Sequence, residues 1–452
     1  MPRDPDGSGR GGSPIGIDRL ARRALRGWLL LGAGALAIAG LLALILAVAR
    51  TPDAQAWFPW SDEAAFRKVL VSHVVFAFVL WFWAMLGALA VAARGRGRSG
   101  LAGLALSILG AALVLVTALL GRGEPVLSNY VPVLTDPVFL AGLGLFAAGA
   151  FIPAGDLLLR PHHANPVLGT GIAAGGAIFL MAALCFSLAW QALPPGTVPY
   201  GHMDTLVWGA GHLLQFVYTV LLLTAWQSLG AQAFGSPPLG RTAWRLVCAL
   251  LVIGAVPGPV LYMVHEGDPE QLRAAFTRLY VFALPVPVVA AAVATGIAIW
   301  RGPRDWRSPA FLGIVLSLAQ MLFGGLLGIF ADGTDTRTPA HYHAEIGAVN
   351  LALIGLIFAQ LLPALGRGGA ANRATRLQFW LYGVGQAIAS LGLFLAGAEG
   401  VGRKVAGAAQ GLDTHTKKID MGLAGGGGVV AVMGGVLFIW LALRRLLAAN
   451  PR

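Results

Sequence analysis

The stretch TPAHYHAEIGAVNLALIG, residues 338–355, sets two histidines, His341 and His343, at the mouth of an apolar run. Ionisable side chains are costly in hydrocarbon and mark functional positions where they occur. Whether this run crosses a membrane therefore decides what the pair is for. The 452 residues are 57% hydrophobic and 12% charged, whereas about a quarter of a soluble protein is charged. Mean hydropathy is +0.73. The composition predicts an all-α fold, a polytopic membrane bundle.

A bilayer crossing takes roughly 20 apolar residues. Such runs lie at 27–49, 69–93, 100–121, 137–159, 167–192, 204–229, 243–265, 276–300, 308–331, 341–365, 377–398 and 421–447, which makes about twelve transmembrane helices. Alternate connections are rich in arginine: RLARRALRG (19–27), RGRGR (94–98), LLLRPHH (157–163), GRTAWR (240–245), WRGPRDWR (300–307), GRGGAANRATR (366–376) and RRLLAANPR (444–452). The intervening ones are mixed or acidic. Arginine-rich loops stay on the cytoplasmic side, so both termini are expected there, in a multi-pass protein of a bacterial inner membrane. The net charge of +12 is explained by this placement, and no nucleic-acid partner is expected; membrane lipid is the surrounding partner. The loop 399–420 breaks the alternation, because it counts as outside yet carries Arg403, Lys404, Lys417 and Lys418.

Residues 1–20 are rich in glycine, serine and arginine, without a cleavable signal pattern, and read as a flexible cytoplasmic tail. Residues 21–452 read as one twelve-helix membrane domain with no internal repeat. Glycines inside nearly every run indicate close helix packing. Cys185 and Cys248 fall inside apolar runs and read as small core residues.

Topology orders the histidines. His73 opens the second run, His212 lies about two turns into the sixth, His265 closes the seventh, and His341 and His343 open the tenth. Five imidazoles from four helices thus share one depth near the outer surface. A single one would read as a satisfied interfacial residue; five at one level read as a site. His162 and His163 read as solvated beside Arg160, His415 as structural in a polar loop, and His202 is left undecided. Helical residues advance about 100° each, so His341 and His343 point about 200° apart. They cannot chelate one metal, but each can ligate a different cofactor on opposite flanks of one helix. Flat macrocycles such as haem, with an imidazole as axial ligand, suit that arrangement.

At these residues the sequence resembles the catalytic subunit (subunit I) of the haem–copper oxidase superfamily, which includes oxygen reductases and nitric oxide reductases. The resemblance covers the whole chain. FRKVLVSHVVFAFVLWFWAMLG (66–87) looks like the family's second helix, MDTLVWGAGHLLQF (203–216) like its sixth, and H-x-H like its tenth. It implies two haems: a low-spin one held by His73 and His343, and a high-spin one held by His341. His212 and His265 would hold a second metal, copper or non-haem iron. His341, His212 and His265 would form the catalytic set. AEGVGRKVAG (398–407) resembles the stretch whose basic pair faces the haem propionates, which gives that role to Arg403 and Lys404.

Three features depart from the family pattern. The seventh helix ends YMVHEGDP (262–269), with one histidine where the family has two adjacent ones. Phe216 stands where many oxygen reductases carry a tyrosine, leaving Tyr262 as a candidate substitute. No carboxylate sits in the middle of the bundle, so proton uptake from the outer side, through the Glu345 and Glu266 region, is expected rather than pumping.

The function implied is that of a terminal-oxidase-like oxidoreductase reducing O2, with nitric oxide reduction as an alternative substrate chemistry. Electrons would come from a periplasmic-side cytochrome c, a copper-bearing partner subunit, or quinol. A second alternative is a non-pumping dihaem electron-transfer or gas-binding subunit with a degenerate second-metal site. A twelve-helix transporter ranks last, because the polar residues cluster at one outer level rather than at the midplane.

Overall fold

The computed structural model describes residues 16–50, 63–160, 163–369 and 372–448. Among them twelve helices are long and apolar enough to cross a membrane: α1 Arg19–Arg50, α2 Glu63–Arg94, α3 Arg98–Leu119, α4 Pro137–Leu159, α5 Pro166–Gln191, α6 Met203–Phe234, α7 Arg241–Val264, α8 Pro269–Arg301, α9 Pro309–Gly328, α10 Arg337–Ala364, α11 Arg373–Ala398 and α12 His415–Leu447. The only strands among the described residues are the short antiparallel pair β1 (Pro125–Val126) and β2 (Val133–Leu134), in the α3–α4 connection.

Several helices begin before their apolar runs. α2 starts six residues before 69, at Glu63, and α8 starts seven residues before 276, at Pro269. The first turns lie where water can serve the polar side chains, and side-chain caps hold them. Asp268 accepts from the Gln271 amide at 3.0 Å, and Thr414 accepts from the Lys417 amide at 3.2 Å. The second cap starts α12 at His415, which therefore opens a helix rather than sitting in a loop. Arg19 and Leu20 already belong to α1, and residues 1–15 of the expected tail lie outside the described residues. His162 lies outside them too, while His163 is half-buried against Gly169.

The most enclosed helices are those that carry His73, His212 and the His341–His343 pair. The apolar windows of α2, α6 and α10 are 89%, 83% and 89% buried, against 22–33% for α1, α3, α7, α8 and α12. Small residues allow the tightest pairings, as expected where lipid supplies no hydrophobic drive between helices. A Cβ on Gly385 of α11 would fall 2.3 Å from the Ala431 nitrogen of α12, and one on Gly110 of α3 would fall 2.5 Å from the Gly142 oxygen of α4. Substitution at either contact would force the backbones apart.

Two stretches of π-helix interrupt the central helices, Val75–Leu80 in α2 and Ile357–Leu361 in α10. Such widened turns are rare and gather at functional sites. The first begins two residues after His73. The second precedes Pro363, whose missing N–H removes one ordinary helical bond. Below the histidines, the Trp81 indole donates to Asn350 Oδ1 at 2.8 Å and Asn350 Nδ2 donates to the Tyr382 hydroxyl at 2.7 Å, joining α2, α10 and α11 through buried polar groups.

The first and last described segments meet on one face. Arg26 Nε donates to the Leu446 carbonyl at 2.8 Å, and an Arg367 amino group donates to the Arg445 and Ala448 carbonyls, each at 2.6 Å. The opposite face gathers Arg50, the β1–β2 connection and the Arg403–Lys404 segment. The predicted site residues lie toward it.

Candidate functional site

The site is built from ring orientations that backbone carbonyls impose. A carbonyl only accepts, so an imidazole nitrogen that bonds one must carry the proton, and the other nitrogen of a neutral ring is left with its lone pair. His73 on α2 places Nδ1 2.9 Å from the Ala39 carbonyl of α1. His212 on α6 places Nδ1 2.8 Å from the carbonyl of Trp208, one turn earlier. His341 on α10 places Nδ1 2.8 Å from the Gly324 carbonyl of α9. All three therefore present Nε2. Metal-ligating histidines are commonly held by just such a second bond, which fixes tautomer and direction.

His212 is the most enclosed, at 1% exposure, and its Nε2 is buried without a hydrogen-bond partner among the described residues. An unsatisfied buried nitrogen is expensive and calls for a ligand. Four rings wall it in: Tyr130 from the α3–α4 connection, Trp208, and Phe276 and Tyr280 from α8, with ring centroids 4.3, 4.9, 5.7 and 6.2 Å away. Gly211 makes room for Tyr130, since a Cβ there would fall 2.4 Å from the Tyr130 Cβ.

His341 is fitted as closely. Cβ atoms on Gly324 and Gly328 would fall 2.7 Å from Glu345 Cγ and 2.6 Å from His341 Nδ1, so two α9 glycines admit this part of α10. Glu345, one turn after His341, places Oε2 3.5 Å from His341 Nε2. Tyr280 lies within electrostatic reach of both Glu345 and Tyr130, and so links the His341 and His212 neighbourhoods.

His343 leaves α10 in another direction. Its ring lies within electrostatic reach of His73 and Arg50, and Tyr342 stacks beside it at 5.2 Å. The structure thus brings His73 and His343 together on one side of α10, and turns His341 toward α9 on another.

His265 ends α7, half-buried, its amide bonded to the Leu261 carbonyl at 3.0 Å. No contact joins it to His212 among the described residues, and no group of three or more His, Cys, Asp or Glu side chains gathers there in a metal-holding arrangement. Glu266 beside it is exposed. Phe216 is fully buried and faces Gly254 of α7. Tyr262 reaches α6 at Gly209 and meets Phe276 at 5.6 Å, one ring removed from His212.

The basic pair sits where three connections converge. Asp335 bridges to Gly402, and the Thr336 amide donates to the Val401 carbonyl at 3.0 Å, which ties the start of α10 to the α11–α12 connection. Arg337 is gripped by Asp332 and Asp335, each at 2.6 Å. Lys404 is the only non-glycine residue with positive φ, 60°, among the described residues. From that backbone its Nζ donates to the Leu127 carbonyl at 2.5 Å and to Asn129 Oδ1 at 2.8 Å, and Arg403 donates to the same Oδ1 at 3.2 Å. Burial, reinforced by the Arg403 charge, pushes the Lys404 ammonium down to about 8, while Asp204 opposes the shift. Burial lifts the Tyr130 phenol to about 12, against the pull of Arg403. Asp204 also pairs with Arg273 at 2.8 Å, and Arg273 lies 4.6 Å over the Trp208 ring, whose backbone carbonyl holds His212.

Tyr130, Tyr280, Arg273 and Arg50 were not singled out by sequence reasoning. Each reaches the site across a long chain separation, and none belongs to a spaced motif.

The family model for cytochrome c and quinol oxidase polypeptide I matches residues 23–430. An uncharacterised protein of Aquifex aeolicus is 28% identical over 348 residues, 74% of this chain and 83% of its own length. Cytochrome c oxidase subunit 1 of Thermus thermophilus is 25% identical over 343 residues, 65% of this chain and 59% of its own. A solved haem–copper terminal oxidase dimer superposes with a TM-score of 0.71 at 14% identity, covering 96% of this chain and 86% of that one, a likeness of fold. With its family match spanning nearly the whole chain and its helices arranged as in a haem–copper oxidase, this protein belongs to the cytochrome c and quinol oxidase polypeptide I family.

Proposed function

We propose that the chain is the haem-bearing subunit of a terminal-oxidase-like membrane oxidoreductase that reduces O2. His73 and His343 hold a low-spin haem, His341 holds a high-spin haem, and Arg403 and Lys404 face their carboxylates. The observation that carries this reading is the shared anchoring of His73, His212 and His341 through Nδ1 to backbone carbonyls, which leaves three Nε2 atoms directed for ligation. When bound, the haems supply electron transfer and the iron at which the gas binds.

The chain's own residues do the rest. His343 and His341 on one helix keep the two cofactors in fixed relation. The rings around His212 exclude water, and Glu345 and Tyr280 can hold protons beside His341. Residues 21–452 act as one domain, with both termini on the cytoplasmic face of a bacterial inner membrane. Electrons enter on the Arg403–Lys404 side, from a cytochrome c, a copper-bearing partner or quinol.

A second reading, a dihaem electron-transfer or gas-binding subunit, is favoured by the His212–His265 arrangement. Two imidazoles under-ligate copper, and the described residues add no third ligand. Reduced-minus-oxidised and CO-difference spectra with metal quantification test both. Two haems, a CO-binding fraction and one copper or iron per chain beyond the haems support the oxidase. Two haems without the extra metal support the second reading, and no haem overturns both.

A further inference from the structure

The end of α2 opposite His73 opens a cavity that the haem reading does not use. It measures about 340 Å³ and is lined by Arg94, Arg96, His163 and Ala164. It lies on the face where α1 begins, away from the histidine site.

Three segments of backbone build it. Gly95, with φ 73°, turns the chain out of α2 in a conformation that glycine adopts without strain. A Cβ there would fall 2.8 Å from the Ala164 Cβ and 2.9 Å from the Gly16 oxygen. The Asp18 amide donates to the Gly95 carbonyl at 3.0 Å, and the Asn165 amide donates to the Ala93 carbonyl at 3.3 Å. The start of α1 and the α4–α5 connection are thus fastened to the turn after α2. Gly169 admits the His163 ring, since a Cβ there would fall 2.3 Å from His163 Cγ.

The charges around this cavity do not balance. Asp156 is shared by Arg94 at 3.2 Å and Arg160 at 3.4 Å, and it accepts from Ser99 Oγ at 3.3 Å as well. Asp18 is turned to the Ala21 amide at 2.6 Å, which caps α1. Arg96 is exposed, and no carboxylate pairs with it among the described residues. A planar guanidinium is suited to grip phosphate oxygens with two parallel bonds. Arg94 Nη1 donates to the Arg160 carbonyl at 3.4 Å, and directly before Arg160 stand Leu158 and Leu159, 39% and 83% exposed. A cationic cavity beside bare aliphatic side chains matches both ends of a lipid. Basic pockets between membrane helices bind acidic headgroups in this way.

The geometry points to a phosphate-binding cavity at the Arg94–Arg96 turn, filled by the headgroup of an anionic phospholipid whose acyl chains lie along Leu158 and Leu159. Arg96 supplies the cation that no carboxylate of the described chain neutralises. Free phosphate shares the headgroup chemistry but gains nothing from the leucines.

The test uses the full-length protein purified in detergent, with phosphatidylglycerol micelles, phosphatidylcholine micelles or inorganic phosphate added. Phenylglyoxal modification of Arg96, read by peptide mass spectrometry, should slow several-fold with phosphatidylglycerol and little with phosphatidylcholine. Arg96→Gln is expected to weaken phosphatidylglycerol binding in native mass spectrometry about fivefold, the share of one arginine at a charged lipid surface. Arg96→Lys should keep most of the binding. Arg304→Gln, which removes an exposed arginine of the α8–α9 connection, should leave it unchanged. Protection by inorganic phosphate equal to that by phosphatidylglycerol overturns the lipid as occupant. One modification rate under all three additions, or equal losses from Arg96→Gln and Arg304→Gln, overturns the site. The phenylglyoxal arm reads the wild-type chain, so it decides the matter even if Arg96→Gln does not fold.

Discussion

The phenol of Tyr130 covers the imidazole of His212, with ring centroids 4.3 Å apart and planes tilted by 53°. The residue after Asn129 therefore closes one side of the most enclosed histidine, while Asn129 itself is held by Arg403 and Lys404. One connection joins the basic pair to the α6 histidine. Gly211→Ala would set a methyl 2.4 Å from the Tyr130 Cβ, and overpacking of that kind typically costs about 1–3 kcal/mol. Tyr130 should swing out, and diethylpyrocarbonate should modify His212 several-fold faster, as read by peptide mass spectrometry. An unchanged rate would show that Tyr130 does not form the cover.

Gly328 admits His341 in the same way, because a Cβ there would fall 2.6 Å from its Nδ1. Gly328→Ala should break the bond to the Gly324 carbonyl and tilt the ring. The CO-difference signal should fall strongly while the low-spin band is retained. Equal loss of both would show that the substitution disturbs the bundle rather than one ring.

The Trp81–Asn350–Tyr382 chain has a calculable cost of interruption. Trp81→Phe removes the donor 2.8 Å from Asn350 Oδ1 and leaves a buried acceptor unpaired, a loss of about 1–3 kcal/mol. Thermal denaturation in detergent should show lower stability, and pairing Trp81→Phe with Asn350→Leu should recover part of it. A single variant as stable as the wild type would mean that water or a rotamer change satisfies Asn350.

Lys404 supplies a pH dependence. Its ammonium is depressed to about 8 in the chain without an anionic ligand. The unfolded side chain holds its proton to higher pH than the folded one, so the cost of burying this charge is fully present below about pH 8. That cost is relieved as pH rises from there toward the usual lysine range. The neutral amine still donates to Leu127 and Asn129, so the closed segment gains over the open one across the same interval. Hydrogen exchange in residues 125–134, corrected for base catalysis, should slow above pH 8 in haem-free protein, and Lys404→Arg should remove the change from that range. Exchange without an inflection near 8 would contradict the assignment.

The bundle was legible because a membrane selects composition directly, and each of the twelve apolar runs corresponds to a helix. Helix starts were less so: hydropathy marks the depth of hydrocarbon, while Asp268 and Thr414 begin helices in water by capping amides. The divergence of His341 and His343 followed from residue spacing alone. The covering of His212 did not, since Tyr130 lies 82 positions away in a connection without periodicity. Arg50 was hidden for a related reason: at the end of an apolar run it resembles any flanking cation. Its neighbours Val405 and Tyr342 are brought beside it only by the folded bundle.

The central claim is that α10 grips two different porphyrins through His341 and His343. The direct measurement is the optical spectrum, with haem count, of His341→Leu and His343→Leu protein purified alongside the wild type. His341→Leu should lose the CO-binding haem and keep the low-spin band, and His343→Leu should lose the low-spin band and keep CO binding. Wild-type protein without haem, or two variants that lose the same haem, would contradict the account.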